Sequence, residues 1–536
     1  MREKLKKLKV KIKNILQIYP RFMIFLAGCV SALAFAPFNF FIILFISLPI
    51  FYLIIDKNTS NKITFFYGLL FGYGYFLAGI YWIAISLLVD VEKFAWLIPF
   101  ALTIIPGFLA LYFGFLAISF KFLVKKFSLK FDFQKILIFA IIWVIFESLR
   151  STLFSGFAWN LLGYSWLFSL DFSQSASLFG VYFLSFIAVI TSLSPILIFN
   201  HKKHKSNKIF LYLFAIFLLV IFSYGIFVNK YFPQTYSSNE KIRIVQANIK
   251  QEIKWQEIER YNNFLKHIEL TRSMPFDDIK AVIWSETSVP YIIDNDPKLL
   301  NLLKLAVPSD GELITGGLRV QKNSENKITG VFNSIFMINS QGILESYDKH
   351  HLVPFGEYVP FQKMLSFLFI DEVVDKITSG GEGFLSGDHV KTLQAKYFSF
   401  NPLICYEVIF SNEVIQENQN PEMFINITND AWFGNSSGPY QHLAMAQMRA
   451  IEYATPLIRV AGTGISALID IHGNIIRKID LNEAGISDVE LLKTGQVSFY
   501  RKFGNIPLII IFVVLSGLFC NVFEVIFKNI KLKLKL

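Results

Sequence analysis

Apolar runs long enough to cross a bilayer follow one another through the first 228 residues, and they constrain the fold before any motif is read. They lie near residues 21–36, 39–55, 63–89, 94–120, 136–154, 175–199 and 209–228, with an eighth near 507–527. A spanning helix needs about 20 predominantly apolar residues. The series therefore predicts a multi-pass α-helical membrane domain of about eight spans. Composition agrees. The chain is 54% hydrophobic and 17% charged, where a soluble chain is about 25% charged, and its mean hydropathy is +0.47.

Short loops rich in Lys and Arg mark the cytoplasmic side. Lys57 and Lys62 follow the second run, and Lys121, Lys125, Lys126, Lys130 and Lys135 follow the fourth. Lys202, Lys203, Lys205 and Lys208 follow the sixth, and Lys528, Lys531, Lys533 and Lys535 follow the eighth. After odd runs the loops are poor in basic residues: Asp90 and Glu92 outweigh Lys93, and 155–174 has none. Both termini are thus expected in the cytoplasm and residues 229–506 outside. The same distribution assigns the net charge of +11 to membrane topology rather than to nucleic acid. Ala34-Phe35-Ala36 and Leu26-Ala27-Gly28-Cys29 imitate signal-peptide cleavage sites, but the apolar stretch before the second is too short for one.

Residues 229–506 have a different texture, mixed polar with short β-like runs. These are Ile242–Asn248, Ala281–Glu286, Leu313–Val320, Val331–Asn339, Leu403–Phe410, Met423–Thr428 and Leu457–Ile469, with helical patterns at 251–273 and 438–453. Strands alternating with helices predict a layered α/β domain. The chain thus divides into a membrane domain over 1–228, a layered α/β domain over 229–506, and a last span with a basic tail over 507–536. Cys29 and Cys520 lie in apolar segments at opposite ends, which argues against a disulfide framework.

Three stretches carry candidate chemistry. Cys405 ends the apolar run Pro402-Leu403-Ile404 and is followed by Tyr406 and Glu407. Glu286 ends Ile283-Trp284-Ser285. Lys349 opens the loop that runs through Pro354 and Gly356 to Glu357. Carboxylate, lysine and cysteine suit covalent acyl transfer: a base takes the thiol proton, the thiolate attacks a carbonyl, and an ammonium steadies the oxyanion. Glu357, eight residues beyond Lys349, is spaced to return a second acid to the same pocket. Taken singly, each residue has a plainer reading: a cysteine in an apolar strand is usually a small core residue, and Glu286 and Lys349 suit solvated ends. His350 and His351 lack a Cys, His or carboxylate cluster at ligand spacing, so no metal is expected.

The three stretches resemble the nitrilase superfamily. The chain as a whole, above all Lys349–Glu357 and Asn429-Asp430-Ala431-Trp432-Phe433-Gly434, is similar to its bacterial apolipoprotein N-acyltransferase family. The resemblance implies an αββα sandwich outside the inner membrane, in the periplasm, with Glu286, Lys349 and Cys405 as catalytic triad. It also implies Glu357, Tyr406 and Glu407 as supporting residues, and Trp255 and Asn333 lining the pocket. It names a phospholipid as acyl donor and the α-amine of a diacylglyceryl-cysteine on an apolipoprotein as acceptor. No cofactor is expected, because thioester to amide is downhill, and the chain is expected to act as a monomer. Two alternatives stay open: a membrane-tethered amidase or nitrilase, and a non-catalytic scaffold. The apolar run 364–370 reads either as a core helix or as an arm dipping into the bilayer, hinged at Gly380, Gly381 and Gly383.

Overall fold

A computed structural model of the chain describes residues 19–58, 60–200, 205–275, 277–294, 296–360, 383–416, 419–493 and 497–519. The run 364–370, Gly380, Gly381, Cys520 and the basic terminal stretches lie outside the described residues. Two compact units emerge: one is drawn from 1–84, 97–231 and 499–536, the other from 85–96 and 232–498.

The first unit is helical. Its principal helices are Pro20–Ser31, Leu44–Lys57, Asn61–Gly79, Ile98–Lys126, Asp132–Thr152, Ala176–Asn200, Lys205–Tyr231 and Ile506–Phe519. Among the described residues, four helical stretches are long and apolar enough to cross a membrane: Val91–Lys126, Asp132–Ser155, Ala176–Asn200 and Lys205–Tyr231. The third run, expected to continue to 89, is broken after Gly79, whose carbonyl accepts from Asn160 Nδ2 at 3.1 Å, and resumes only as the short helix Ile83–Ser86. Helix ends leave such carbonyls without an intrahelical partner. The aromatic stretch 155–166 is held by two buried polar side chains of one helix. Arg150 donates to the Trp159 carbonyl at 2.8 Å, and Glu147 accepts from the Leu162 N–H at 2.7 Å. Trp159 and Trp166 are buried inside the unit.

The second unit stacks two sheets. The first joins β1 (Thr235–Gln246), β2 (Ile279–Trp284), β3 (Val289–Ile292), β4 (Glu312–Lys322), β5 (Ile328–Ile338), β6 (Ile343–Asp348) and β13 (Gly485–Lys493), in the order β13-β1-β2-β4-β5-β6 with β3 beside β4. The second joins β7 (Leu393–Gln394), β8 (Ser399–Ile404), β9 (Met423–Thr428), β10 (Leu457–Ala461), β11 (Ser466–Ile469) and β12 (Ile475–Ile479), in the order β12-β11-β10-β9-β8-β7. Strands β1, β2 and β4 pair in parallel, as do β8, β9 and β10. Parallel strands are covered on both faces, which is why these runs are almost continuously apolar. The inner faces meet in one core, where Ile283 and Ile335 of the first sheet join Ile404, Ile425 and Ile458 of the second. Helices Glu257–Arg272 and Pro297–Leu303 cover the first sheet through Phe264, Ile268, Leu299 and Leu303. Helix Gly438–Tyr453 covers the second, with Tyr453 edge-on to Phe424. The layers read αββα, as expected.

Three expected elements are divided. The run Leu403–Phe410 is a strand only to Ile404; Cys405–Ile409 forms a 3₁₀ turn, because Glu407 folds back to accept the Ile404 N–H at 2.6 Å. Leu457–Ile469 is an antiparallel pair, turned at Gly462-Thr463-Gly464. The pattern at 251–273 splits into a turn, Gln251–Lys254, and the helix from Glu257.

Candidate active site

Strand ends from both sheets deliver the candidate residues. Glu286 lies two residues beyond β2, buried, and is followed by Thr287 at φ 45°. A β-branched residue rarely adopts a positive φ. The turn is packed against Gly316 of β4, where a Cβ would lie 2.5 Å from the Thr287 nitrogen. Lys349 leaves the end of β6, which is pinned by Arg319 Nε donating to Asp348 at 2.8 Å, and its own N–H donates to the Asn333 carbonyl at 2.9 Å. Cys405 follows β8 directly and has φ 51°. An L-residue in this region costs about 1–2 kcal/mol, and such strain persists only where the surroundings over-determine it.

Four side chains converge. Lys349 Nζ donates to Glu357 Oε1 at 2.9 Å and lies 3.8 Å from Glu286 Oε1. Asn333 Nδ2 donates to Glu286 Oε1 at 2.7 Å and to Glu357 Oε1 at 3.2 Å. The Val353 N–H holds the other Glu357 oxygen at 2.8 Å. Lys349 is only 1% exposed. Burial alone would lower its pKa, but the charges of Glu357 and Glu286 override that and keep it firmly an ammonium. Burial raises Glu286 above the usual carboxylate range, against the pull of Lys349. The Cys405 thiol is pushed well up, by burial first and the Glu286 charge next, with Lys349 pulling it down. A thiol in that state attacks only if a neighbour takes its proton.

Glu407 and Tyr406 stand apart from this cluster. Glu407, fully buried, accepts from the Tyr347 hydroxyl at 2.7 Å and the His350 N–H at 2.8 Å as well as from Ile404. Burial would raise its carboxyl, but the His350 and Ile404 bonds outweigh it and hold it low. It shapes the turn that carries Cys405. Tyr406 packs edge-on to Phe410. Trp255 is 39% exposed, with no hydrogen bond or ring contact to the cluster among the described residues.

Two features escaped sequence reading. Lys254 is buried and donates to the Glu286 carbonyl at 3.1 Å and the Thr287 hydroxyl at 2.7 Å; burial lowers its pKa to about 8. A lysine one residue from an exposed tryptophan gives no signal of burial. The histidine pair has a carboxylate partner, Glu413, 2.6 Å from His351 Nδ1 and 3.5 Å from His350 Nε2. The three present possible metal-ligand atoms within 4.8 Å of one another.

Comparison with known proteins finds matches to both parts of the chain. The apolipoprotein N-acyltransferase N-terminal domain matches residues 27–194, and the carbon-nitrogen hydrolase domain matches residues 241–497. The apolipoprotein N-acyltransferase of Rickettsia prowazekii is 36% identical over 496 residues, 91% of this chain and 96% of that protein. That of Rickettsia bellii is 38% identical over 500 residues, 92% of this chain and 95% of its own. The chain belongs to the apolipoprotein N-acyltransferase family. As a family member it is an acyltransferase whose second unit has the carbon–nitrogen hydrolase fold. Among solved structures, a CN-hydrolase superfamily protein from Xanthomonas campestris aligns with 47% of this chain and 89% of its own, at 18% identity and a TM-score of 0.35.

Proposed function

We propose that the chain transfers a fatty acyl group from a membrane phospholipid to the α-amine of the N-terminal diacylglyceryl-cysteine of apolipoproteins, through a thioester on Cys405. The observation that carries this reading is the buried Glu286–Lys349–Glu357 group beside a thiol in a strained strand-end turn. In the first half-reaction Glu286 takes the thiol proton, sulfur bonds to the ester carbonyl carbon, and Lys349 faces the oxyanion. The ester C–O bond then breaks, and Glu286 returns the proton to the departing lysophospholipid alkoxide. In the second half the amine attacks the thioester, Glu286 takes its proton, and as the C–S bond breaks Glu286 passes that proton to the sulfur, restoring the thiol. Glu357 and Asn333 keep Lys349 and Glu286 aimed, Glu407 and Tyr406 shape the Cys405 turn, and Trp255 lines the pocket. Hydrolysis, the amidase alternative, would need water to outcompete that amine.

The donor's location follows from topology. In this reading residues 1–228 form seven spans, 229–506 the periplasmic catalytic domain and 507–536 the last span, with both termini cytoplasmic in the inner membrane. The grouping of 85–96 with 232–498 supports it, since Gly434 lies against Ile85. The loop after the third span and the catalytic domain then share one side. The test is to incubate the full chain with phospholipid and no acceptor. The peptide carrying Cys405 should gain the mass of one acyl chain, released by neutral hydroxylamine, and Cys405→Ala should gain none. Rapid turnover with no adduct at any time would overturn the mechanism.

A further inference from the structure

Asp430, His442 and Arg459 are fully buried, and none takes part in the steps above. Arg459 of β10, Asn426 of β9 and Leu403 of β8 share one register row across the second sheet. Arg459 donates to Asn426 Oδ1, and Asn426 Nδ2 donates to the Leu403 carbonyl at 2.9 Å. The other arm of Arg459 donates to Asp430 Oδ2 at 2.6 Å and lies 3.0 Å from His442 Nδ1, which is itself 2.9 Å from Asp430 Oδ1. His442 Nε2 is 3.1 Å from the Cys405 carbonyl. A carbonyl oxygen only accepts, so Nε2 carries the proton. The Cys405 turn is thus gripped twice: Glu407 holds the N–H before it and His442 holds the carbonyl after it. An L-residue at φ 51° relaxes unless something of this kind holds it.

We propose that His442 is a positioning residue: its Nε2–H, aimed by Arg459, which donates to Nδ1 and is itself held by Asp430, fixes the Cys405 carbonyl and so the left-handed turn that presents the thiol. The proposal rests on Cys405 being the nucleophile. Two substitutions separate positioning from general support. The amide of His442→Gln reaches where Nε2 stands. That of His442→Asn reaches only as far as Nδ1, so it meets Asp430 and Arg459 but not the carbonyl. In detergent-solubilised full chain, iodoacetamide labelling of Cys405 and single-turnover acyl-enzyme formation are followed by peptide mass, with melting curves beside them. His442→Asn should slow both by about 10–100-fold, since a misplacement of about 1 Å costs on the order of 10²-fold. His442→Gln should recover most of the rate at a similar melting temperature. Equal rates in the two folded variants would overturn the proposal. So would failure of both to fold, which would make His442 a folding residue. A wild-type chain that forms no donor adduct on Cys405 would instead remove the nucleophile assignment on which this rests.

Discussion

Lys349→Met replaces a buried ammonium with an apolar stem of similar length. In the folded chain that ammonium lies 2.9 Å from Glu357 and 3.8 Å from Glu286. At an effective dielectric of about 20, opposite charges about 4 Å apart attract by about 4 kcal/mol. Losing that attraction disfavours ionised Glu286, whose carboxyl burial already raises. Glu286 then ionises only at higher pH, and the thiol loses its base under neutral conditions. The oxyanion loses a partner as well, worth about 10²–10³ in rate. Acyl-enzyme formation at neutral pH should therefore fall by about 10³-fold or more. The residual rate should climb as pH rises, with its acidic limb displaced to higher pH than in the wild type. The assay is rapid-quench intact mass with donor alone, across a pH series. A loss under about tenfold, or a deep loss with the limb unmoved, would refute the assignment of Lys349 as the charge that serves both Glu286 and the oxyanion.

Stability should depend on pH through the histidine pair. Hydrogen bonds to Glu407 and Glu413 raise His350 from 6.5 to about 9. Its contribution is complete below 6.5 and is lost as pH rises through about 9. Burial opposes it, but the bonds from His350 and His351 lower Glu413 from 4.5 to about 2, so its share is complete above 4.5 and is lost as pH falls through about 2. The melting temperature in detergent should be highest between pH 4.5 and 6.5, and His350→Ala should flatten the alkaline decline; an unchanged alkaline slope would dismiss the pair as a contributor. For topology, a reporter fused after residue 232 should be active only when exported, and one after 205 only when cytoplasmic. The reverse pattern would put the catalytic domain on the wrong side for its acceptor.

Much of this was legible in the sequence, because apolar periodicity and strand-end polar residues report burial directly. Glu286 follows an apolar run and Glu357 a Pro/Gly turn that Lys349 opens, and the fold gathers the three within ion-pair distance. The end of β8 was misplaced because Val408 and Ile409 are as apolar as the strand, and only the backward reach of Glu407 stops it. Lys254 and Glu413 were invisible for another reason. Their partners are 32 and 62 residues away, so no local pattern records them. Asp430, His442 and Arg459 sit on three elements and meet only once β8, β9 and β10 are in register.

The stacking of two sheets has a consequence for how this chain can change. Glu286 and Lys349 ride on one sheet and Cys405 on the other, so the gap between acid and thiol is set by the side chains that separate the sheets: Ile283, Ile335, Ile404 and Ile425. These isoleucines act as a spacer of fixed thickness. Trimming one to valine removes a single methylene, at a usual cost of about 0.5–1.5 kcal/mol, which the fold tolerates. The same loss lets one sheet settle toward the other and carries the acid with it. Drift in the core of this domain should therefore show first as lost turnover, well before any loss of folded protein.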